Sequence, residues 1–332
     1  MGWLDCARVI SGEVLVADIG GTNCRLALCK REGGVISILR RAAYLTGERP
    51  SVADAIGEFL GPDLRPAYAA VAVAGPVEGD TIELTNSYWG FSISALEHAF
   101  GFTRLVAVND LVAQAEAATR LGRDDIASIG GEVSACARLA VVGVGTGLGV
   151  ASVSRGGDGG ATIVATEAGH AGFAPFDALD LQIIEQWHAE TGRVVDEHLV
   201  SGPGLVRLHN TLRTMRNQKV EADLDGREIV RRAFEVEDGP CLETVHRFAL
   251  ALASVCADVA LVQGAEAVLL VGDIAKSLLP ELRAAPFRAR FEQHGPRRGF
   301  LAHVPIGVAL ATDLGLIGAY HFLERALASK HG

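Results

Sequence analysis

An α/β fold with mixed sheets, divided into two domains, is what this sequence predicts, and three observations carry that expectation. The chain has 332 residues, beyond the size at which a single hydrophobic core keeps growing. Short β-rich apolar runs alternate with helical patterns along its whole length. Two glycine-rich turns, one near the N-terminus and one near the middle, each lie between apolar runs that read as strands.

The elements follow in order. VLVADIGGTNCRLALC, residues 14–29, places a Gly-Gly turn between two apolar runs and reads as a β-hairpin. AYAAVAVAGP (67–76) is a strand that stops at Gly75-Pro76, and TIELTNSYWGFS follows a turn at residues 78–80. SISALEHAF (92–100) has apolar positions at helical spacing behind a Ser92 or Ser94 cap. RLVAVND (104–110) is a short buried strand ending on two polar residues, and the helix LVAQAEAATRL follows directly. RLAVVGVGTGLGVASVS (138–154) repeats the strand, glycine turn, strand design. Helical patterns dominate 177–262, interrupted by SGPG (201–204), and AEAVLLVGDI (265–274) is a third strand with a glycine-containing end. DLGLIGAYHFLERALASK closes the chain as an amphipathic helix. The paired hairpin is the only repetition expected.

Bulk properties exclude several classes. Hydrophobic residues make up 49% and charged residues 21%, ample for a globular core. A formal charge of −10 argues against nucleic acid as a partner, while a local glycine turn still accepts an anionic small ligand. The six cysteines (Cys6, Cys24, Cys29, Cys136, Cys241, Cys256) show no C-x-x-C pairing or zinc-like spacing and suit a reducing cytosol. The N-terminus lacks a secretory pattern, and its Met-Gly start carries Cys6 where a myristoylation site needs Ser or Thr. FALALASVCADVALV (248–262) is short for a span and contains Asp258, so it is expected as a buried helix, with no membrane partner.

The flanks of the glycine turns narrow their chemistry. No G-x-x-x-x-G-K-[ST] occurs, and GVGTGLG runs into a β-branched strand rather than a helix, which disfavours a dinucleotide fingerprint. What remains is an acidic residue followed by Gly-Gly-Thr. Over Asp18, Ile19, Gly20, Gly21, Thr22 and Asn23, glycines let backbone N–H groups reach phosphate oxygens. Thr22 adds a hydroxyl, and Asp18 is a candidate magnesium ligand through water. Gly145, Thr146 and Gly147 offer the same kit. A plain hairpin turn fits either segment alone; two such turns between apolar strands favour a nucleotide held from two domains, the arrangement of the actin-like ATPase and sugar-kinase fold.

Taken together, ADIGGTNCRLAL, VAGPVEGD, LTNSYWGFS, VNDLVA, VGVGTGLGVA, TEAGHAGFAP, EHLVSGPGL and DLGLIGAY, in that order, make the chain resemble the bacterial-type glucokinases of the hexokinase superfamily along nearly its full length. The resemblance implies a two-domain, ribonuclease H-like sugar-kinase fold with an interdomain cleft, residues 1–110 plus 312–332 forming the smaller domain and 111–311 the larger. It implies ATP-dependent phosphorylation of glucose at its 6-hydroxyl, feeding glycolysis, with Mg2+, in a cytoplasmic homodimer. It makes Asp110 the general base and Asn109, Asp110, Glu167, His170 and Glu197 the sugar ligands. Gly272 joins the nucleotide residues.

Residue chemistry alone leaves alternatives. Asn109-Asp110 also fits a helix cap, Glu167 and His170 also fit half of a metal site, and Glu197 alone reads as a solvated charge. Glucose nevertheless presents several hydroxyls, each needing a partner when desolvated, and these side chains cover such a ligand. The family's Gly-Gly-Ile after the third strand is Gly272-Asp273-Ile274 here. Asp tolerates a positive φ, but its charge is unhelpful near polyphosphate, so Asp273→Gly is expected to lower KM for ATP. The rival readings are a kinase for fructose, mannose or an N-acetylhexosamine, a sugar-binding protein with a degraded ATP site, and a sugar-sensing regulator. The last needs a helix-turn-helix, for which residues before 14 leave no room.

Overall fold

The computed structural model describes residues 10, 12–84, 87–133, 136–156, 160–220 and 224–328. Cys6, with the rest of residues 1–9, and Thr85 and Asn86 of the LTNSYWGFS segment lie outside them. The chain forms two compact units, Met1–Arg120 with Ala311–Gly332, and Leu121–Leu310.

The first unit is built on a five-stranded sheet. β1 (Glu13–Ile19), β2 (Asn23–Glu32) and β3 (Val35–Leu45) form an antiparallel meander, and β4 (Tyr68–Val73) lies parallel to β1. β5 (Thr81–Glu83) and β6 (Gly90–Ser92) make a small separate hairpin, and β7 (Arg104–Asn109) joins β4 in parallel, giving the order β3-β2-β1-β4-β7. β3 is an addition to the expected elements. Gly33 and Gly34 turn into it with φ of 57° and 88°, the two-residue turn whose twist matches that of its flanking strands.

β1 is buried on both faces, and its alternating side chains serve two cores. Leu15, Ala17 and Ile19 pack with Ile56 and Phe59 of the Val52–Leu60 helix and Leu96 of the Ile93–Phe100 helix. Val14 and Val16 pack with Leu316, Tyr320 and Leu323 of the terminal helix Leu314–Ala328. That helix runs so close to the helix Asp110–Ala118 that a Cβ on Gly318 would overlap the Ala113 carbonyl. Ser92 is the cap of the Ile93–Phe100 helix, its Oγ accepting from the Ala95 N–H at 3.1 Å.

The second unit repeats the plan. Its strands are β8 (Ile126–Gly130), β9 (Arg138–Val144), β10 (Leu148–Arg155), β11 (Ala161–Thr166), β12 (Ala267–Val271) and β13 (Ile306–Ala309). Their order is β11-β10-β9-β12-β13-β8. Again three antiparallel strands are followed by two parallel ones, with β8 added antiparallel at the far edge. The repetition thus extends from the hairpins to the whole sheet. SGPG is a helix start rather than a break: Ser201 Oγ accepts from the Gly204 N–H at 3.1 Å and opens the helix Gly202–Met215.

The apolar run 248–262 belongs to a longer helix, Gly239–Gln263, begun by an Asp238 cap and ended by Gly264 in the left-handed region. At 25 residues it is long and apolar enough to cross a membrane, yet 72% of its most apolar stretch is buried inside the unit. Val245, Phe248, Leu252 and Cys256 are among the core residues it supplies. A core helix is its role in this fold.

Candidate active site

In the first unit the site residues gather at one sheet edge. Ile19, Val73 and Asn109 share a register row across β1, β4 and β7, so the Gly20–Thr22 turn and Asp110 both emerge from the carboxyl ends of parallel strands. Ligands of open α/β sheets bind at such ends. The turn is closed by the Gly20 N–H donating to the Asn23 carbonyl at 2.8 Å. Asp18 stands just before it, with its side chain 23% exposed and 3.9 Å from the Arg25 guanidinium. The carboxylate rests against the first turn of the terminal helix, where a Cβ on Gly315 would lie 2.7 Å from Oδ2.

The Asn109-Asp110 pair has more than one task. Asn109 Oδ1 accepts from the N–H groups of Leu111 (3.0 Å) and Val112 (3.2 Å), so the cap is real. Its Nδ2 donates to the Gly75 carbonyl at 3.1 Å. The acceptor expected to meet sugar hydroxyls is therefore occupied within the fold, and one Nδ2 hydrogen is left to face a ligand. Asp110 opens the helix, and its Oδ1 accepts from Leu111 N–H at 2.8 Å. Burial raises its pKa above the ordinary carboxylate value, and backbone N–H groups partly oppose the shift. A carboxylate at a strand end with raised basicity suits proton abstraction.

In the second unit three expected segments meet at one residue, Leu148, the first of β10. Glu197 Oε2 accepts from the Leu148 N–H at 2.8 Å, and a Cβ on Gly147 would lie 2.5 Å from that oxygen. The turn Ala168–His170 presses on the same residue, because a Cβ on Gly169 would overlap the Leu148 carbonyl. The Asp196 N–H donates to the Ala171 carbonyl at 2.9 Å and ties this turn to the short helix Asp196–Leu199. The Gly202 N–H donates to the Gly145 carbonyl at 2.8 Å. The Gly145–Gly147 turn, Glu167, His170 and Glu197 thus form one cluster.

Glu167 and His170 stand side by side and exposed, Oε2 and Nε2 3.8 Å apart. Among the described residues no group of three or more His, Cys, Asp or Glu is placed to hold a metal, so the half-site reading gains no third ligand there. Glu197 is more than a solvated charge, since it supports the glycine turn through Leu148.

Gly272 follows β12 with φ 103°, and a Cβ there would overlap the Val144 carbonyl at the end of β9. Only glycine satisfies both demands. Asp273 needs no positive φ. It is the first residue of the helix Asp273–Ser277, and its side chain is 72% exposed, 3.5 Å from Lys276. The expected backbone accommodation at Asp273 is therefore replaced by an ordinary helix start.

A magnesium ion brought by a nucleotide would find a hard oxygen donor in Asp18 beside the first glycine turn. Magnesium usually keeps several waters and takes one or two carboxylates plus phosphate oxygens, so a single partly exposed carboxylate fits. Thr46 and Tyr88 border the same turn and had no sequence signal of their own. Thr46 lies in an unremarkable TGE segment, and Tyr88 in a motif read as a whole.

Each mixed sheet thus carries a glycine turn at the carboxyl end of a strand with polar side chains grouped beside it, the arrangement expected of a sugar-kinase fold. The glucokinase family model matches residues 15–326. A glucokinase of Helicobacter acinonychis (strain Sheeba) is 36% identical over 327 residues, 94% of this chain and 96% of that protein. One from Caulobacter vibrioides (strain NA1000 / CB15N) is 38% identical over 314 residues, covering 93% and 94%. A crystal structure of glucokinase from an Antarctic psychrotroph superposes with a TM-score of 0.81 at 30% identity, covering 95% of this chain and 100% of that one. The chain belongs to the glucokinase family.

Proposed function

We propose that the protein transfers the γ-phosphoryl group of ATP to the 6-hydroxyl of D-glucose, giving glucose 6-phosphate and ADP. The observation that carries the reading is the Asp110 carboxylate, half-buried just past the end of β7 with Oδ1 fixed by a backbone N–H and its basicity raised. Asp110 takes the proton of the 6-hydroxyl as that oxygen attacks the γ-phosphorus, and the bond to the β,γ-bridging oxygen breaks in line. Backbone N–H groups of Gly20–Asn23 and Gly145–Gly147 meet the negative phosphate oxygens. Asn109 Nδ2, Glu167, His170 and Glu197 bind the remaining sugar hydroxyls, each of which needs a partner once desolvated. Asp18 would hold magnesium through water, and the bound ion would neutralise phosphate charge.

Family membership supports this reading, as does the neighbouring fold of a ROK family glucokinase from Streptomyces griseus solved with glucose and AMPPNP (TM-score 0.66, 21% identity). A soluble cytoplasmic homodimer serving glycolysis completes the proposal. Its support is the family, with the Cys24, Cys29 and Cys256 thiols buried and free.

The test is ADP release over a panel of hexoses, with ATP, polyphosphate and ADP as donors. Glucose with ATP is expected to give the highest kcat/KM; preference for another hexose or donor overturns the assignment. Asp110→Ala should cut kcat by about 10²–10⁴-fold while glucose binding stays measurable by calorimetry. Near-normal turnover of that variant removes Asp110 from the chemistry.

A further inference from the structure

The first glycine turn does not hold itself. Where β3 ends, Thr46 begins a one-turn 3₁₀ helix, Thr46–Glu48, and is 3% exposed. Its Oγ1 donates to the Gly21 carbonyl at 2.7 Å, and its backbone N–H donates to the Thr22 carbonyl at 3.0 Å. Two successive carbonyls of the turn are thus gripped by one residue. Thr46 is gripped in turn. The Tyr88 hydroxyl lies 2.9 Å from the Thr46 carbonyl and 2.7 Å from the Arg49 carbonyl, and donates its single proton to one of them at a time. Trp89 Nε1 donates to the same Arg49 carbonyl at 3.0 Å. Gly21, Thr22, Thr46, Gly47, Ser87 and Tyr88 border an open hollow of about 460 Å³.

Peptide geometry gives this contact a consequence. The C=O and N–H of a trans peptide point in opposite directions, and the described chain has no cis bonds. Holding the Gly21 and Thr22 carbonyls toward Thr46 aims the N–H groups of Thr22 and Asn23 away from it. We propose that Thr46, braced by Tyr88, is a positioning residue for the nucleotide phosphates. It orients the two peptide planes whose N–H groups receive them. The proposal rests on reading Gly20–Asn23 as a phosphate turn. Thr46 touches no substrate itself. Donors aimed in advance at developing charge need no reorganisation during transfer, so a loosened turn weakens ATP binding and slows the step.

The experiment compares Thr46→Val, which removes the hydroxyl and keeps the backbone N–H, with Thr46→Ser, which keeps both. Thr46→Val is expected to raise KM for ATP about five- to tenfold and lower kcat, with glucose KM within about twofold of wild type. Thr46→Ser should restore both parameters, a rescue that a purely space-filling role would not give. An unchanged KM for ATP in Thr46→Val overturns the proposal. Should Thr46→Val fail to fold, Tyr88→Phe on an exposed ring decides: a severalfold rise in KM for ATP supports the latch and an unchanged value overturns it. Gly21→Ala separates the two readings. If it weakens ATP binding while Thr46→Val does not, the phosphate turn stands and the latch falls; if neither affects ATP, both fall.

Discussion

Asp196 is 8% exposed and stands one residue before Glu197. Burial, and then the nearby Asp258, push its pKa up to about 7. An unfolded carboxylate titrates near ~3.9, so the folded protein holds a proton there that the unfolded chain has released. The sign follows from linkage: this contribution is fully present below pH ~4 and is lost as pH rises to about 7. Asp196→Asn carries no such dependence. The variant's Tm relative to wild type should therefore rise between pH 5 and pH 8, and a constant difference across that range removes the buried charge as its cause. Individual residues were unevenly legible in the sequence. Asn109 and Asp110 stand out because two polar residues end an apolar run, yet the division of Asn109 between its cap, the Gly75 carbonyl and one remaining N–H depends on the folded neighbours. Asp196 gave no signal, since burial of a helix-start carboxylate depends on what packs above it.

Elements with strong periodicity were legible, and those at edges were not. The two hairpins and the strand ending at Asn109 join apolar runs to glycine or polar stops, patterns that local sterics dictate. β3 has a weak sequence signal because it is an edge strand with mixed exposure, carrying Arg40 and Arg41 among apolar residues; an edge needs charge more than it needs a pattern. The Gly272-Asp273 element was legible in identity but not in conformation. With the positive φ on Gly272 and the Asp273 carboxylate exposed at a helix start, Asp273→Gly should leave KM for ATP within about twofold. The change removes a residue favourable near the helix N-terminus, worth ~0.3–1 kcal/mol, and adds backbone entropy of about 0.5–1 kcal/mol. Tm should fall by roughly 2–8 °C, at about 2–4 °C per kcal/mol. A severalfold drop in KM for ATP would place the carboxylate within reach of the phosphates after all.

At the scale of the whole molecule, one sheet plan is used twice. Each copy sets a glycine turn between its first two strands and a parallel strand beside it. Repetition of this depth was invisible in the sequence because the matching strands share a pattern of burial rather than residue identities. The first copy is finished only by the far end of the chain. Leu316, Tyr320 and Leu323 of the terminal helix are essentially buried against Val14, Val16 and Val106. Burying three such side chains contributes roughly 5–9 kcal/mol at about 1.5–3 kcal/mol each, an upper estimate that rivals the 5–15 kcal/mol of a typical domain. Asp18 also loses its neighbour at Gly315 if the helix is removed. A chain ending at Leu310 should therefore lose the fold of residues 12–120, seen as rapid tryptic cleavage there and loss of phosphoryl transfer. The second unit keeps its own core of β9, β12, β13 and the Gly239–Gln263 helix, so a protected fragment spanning about residues 121–310 is expected to survive digestion. Protection of residues 12–120 in the truncated chain, with activity retained, would show that the terminal helix only covers a sheet already stable without it.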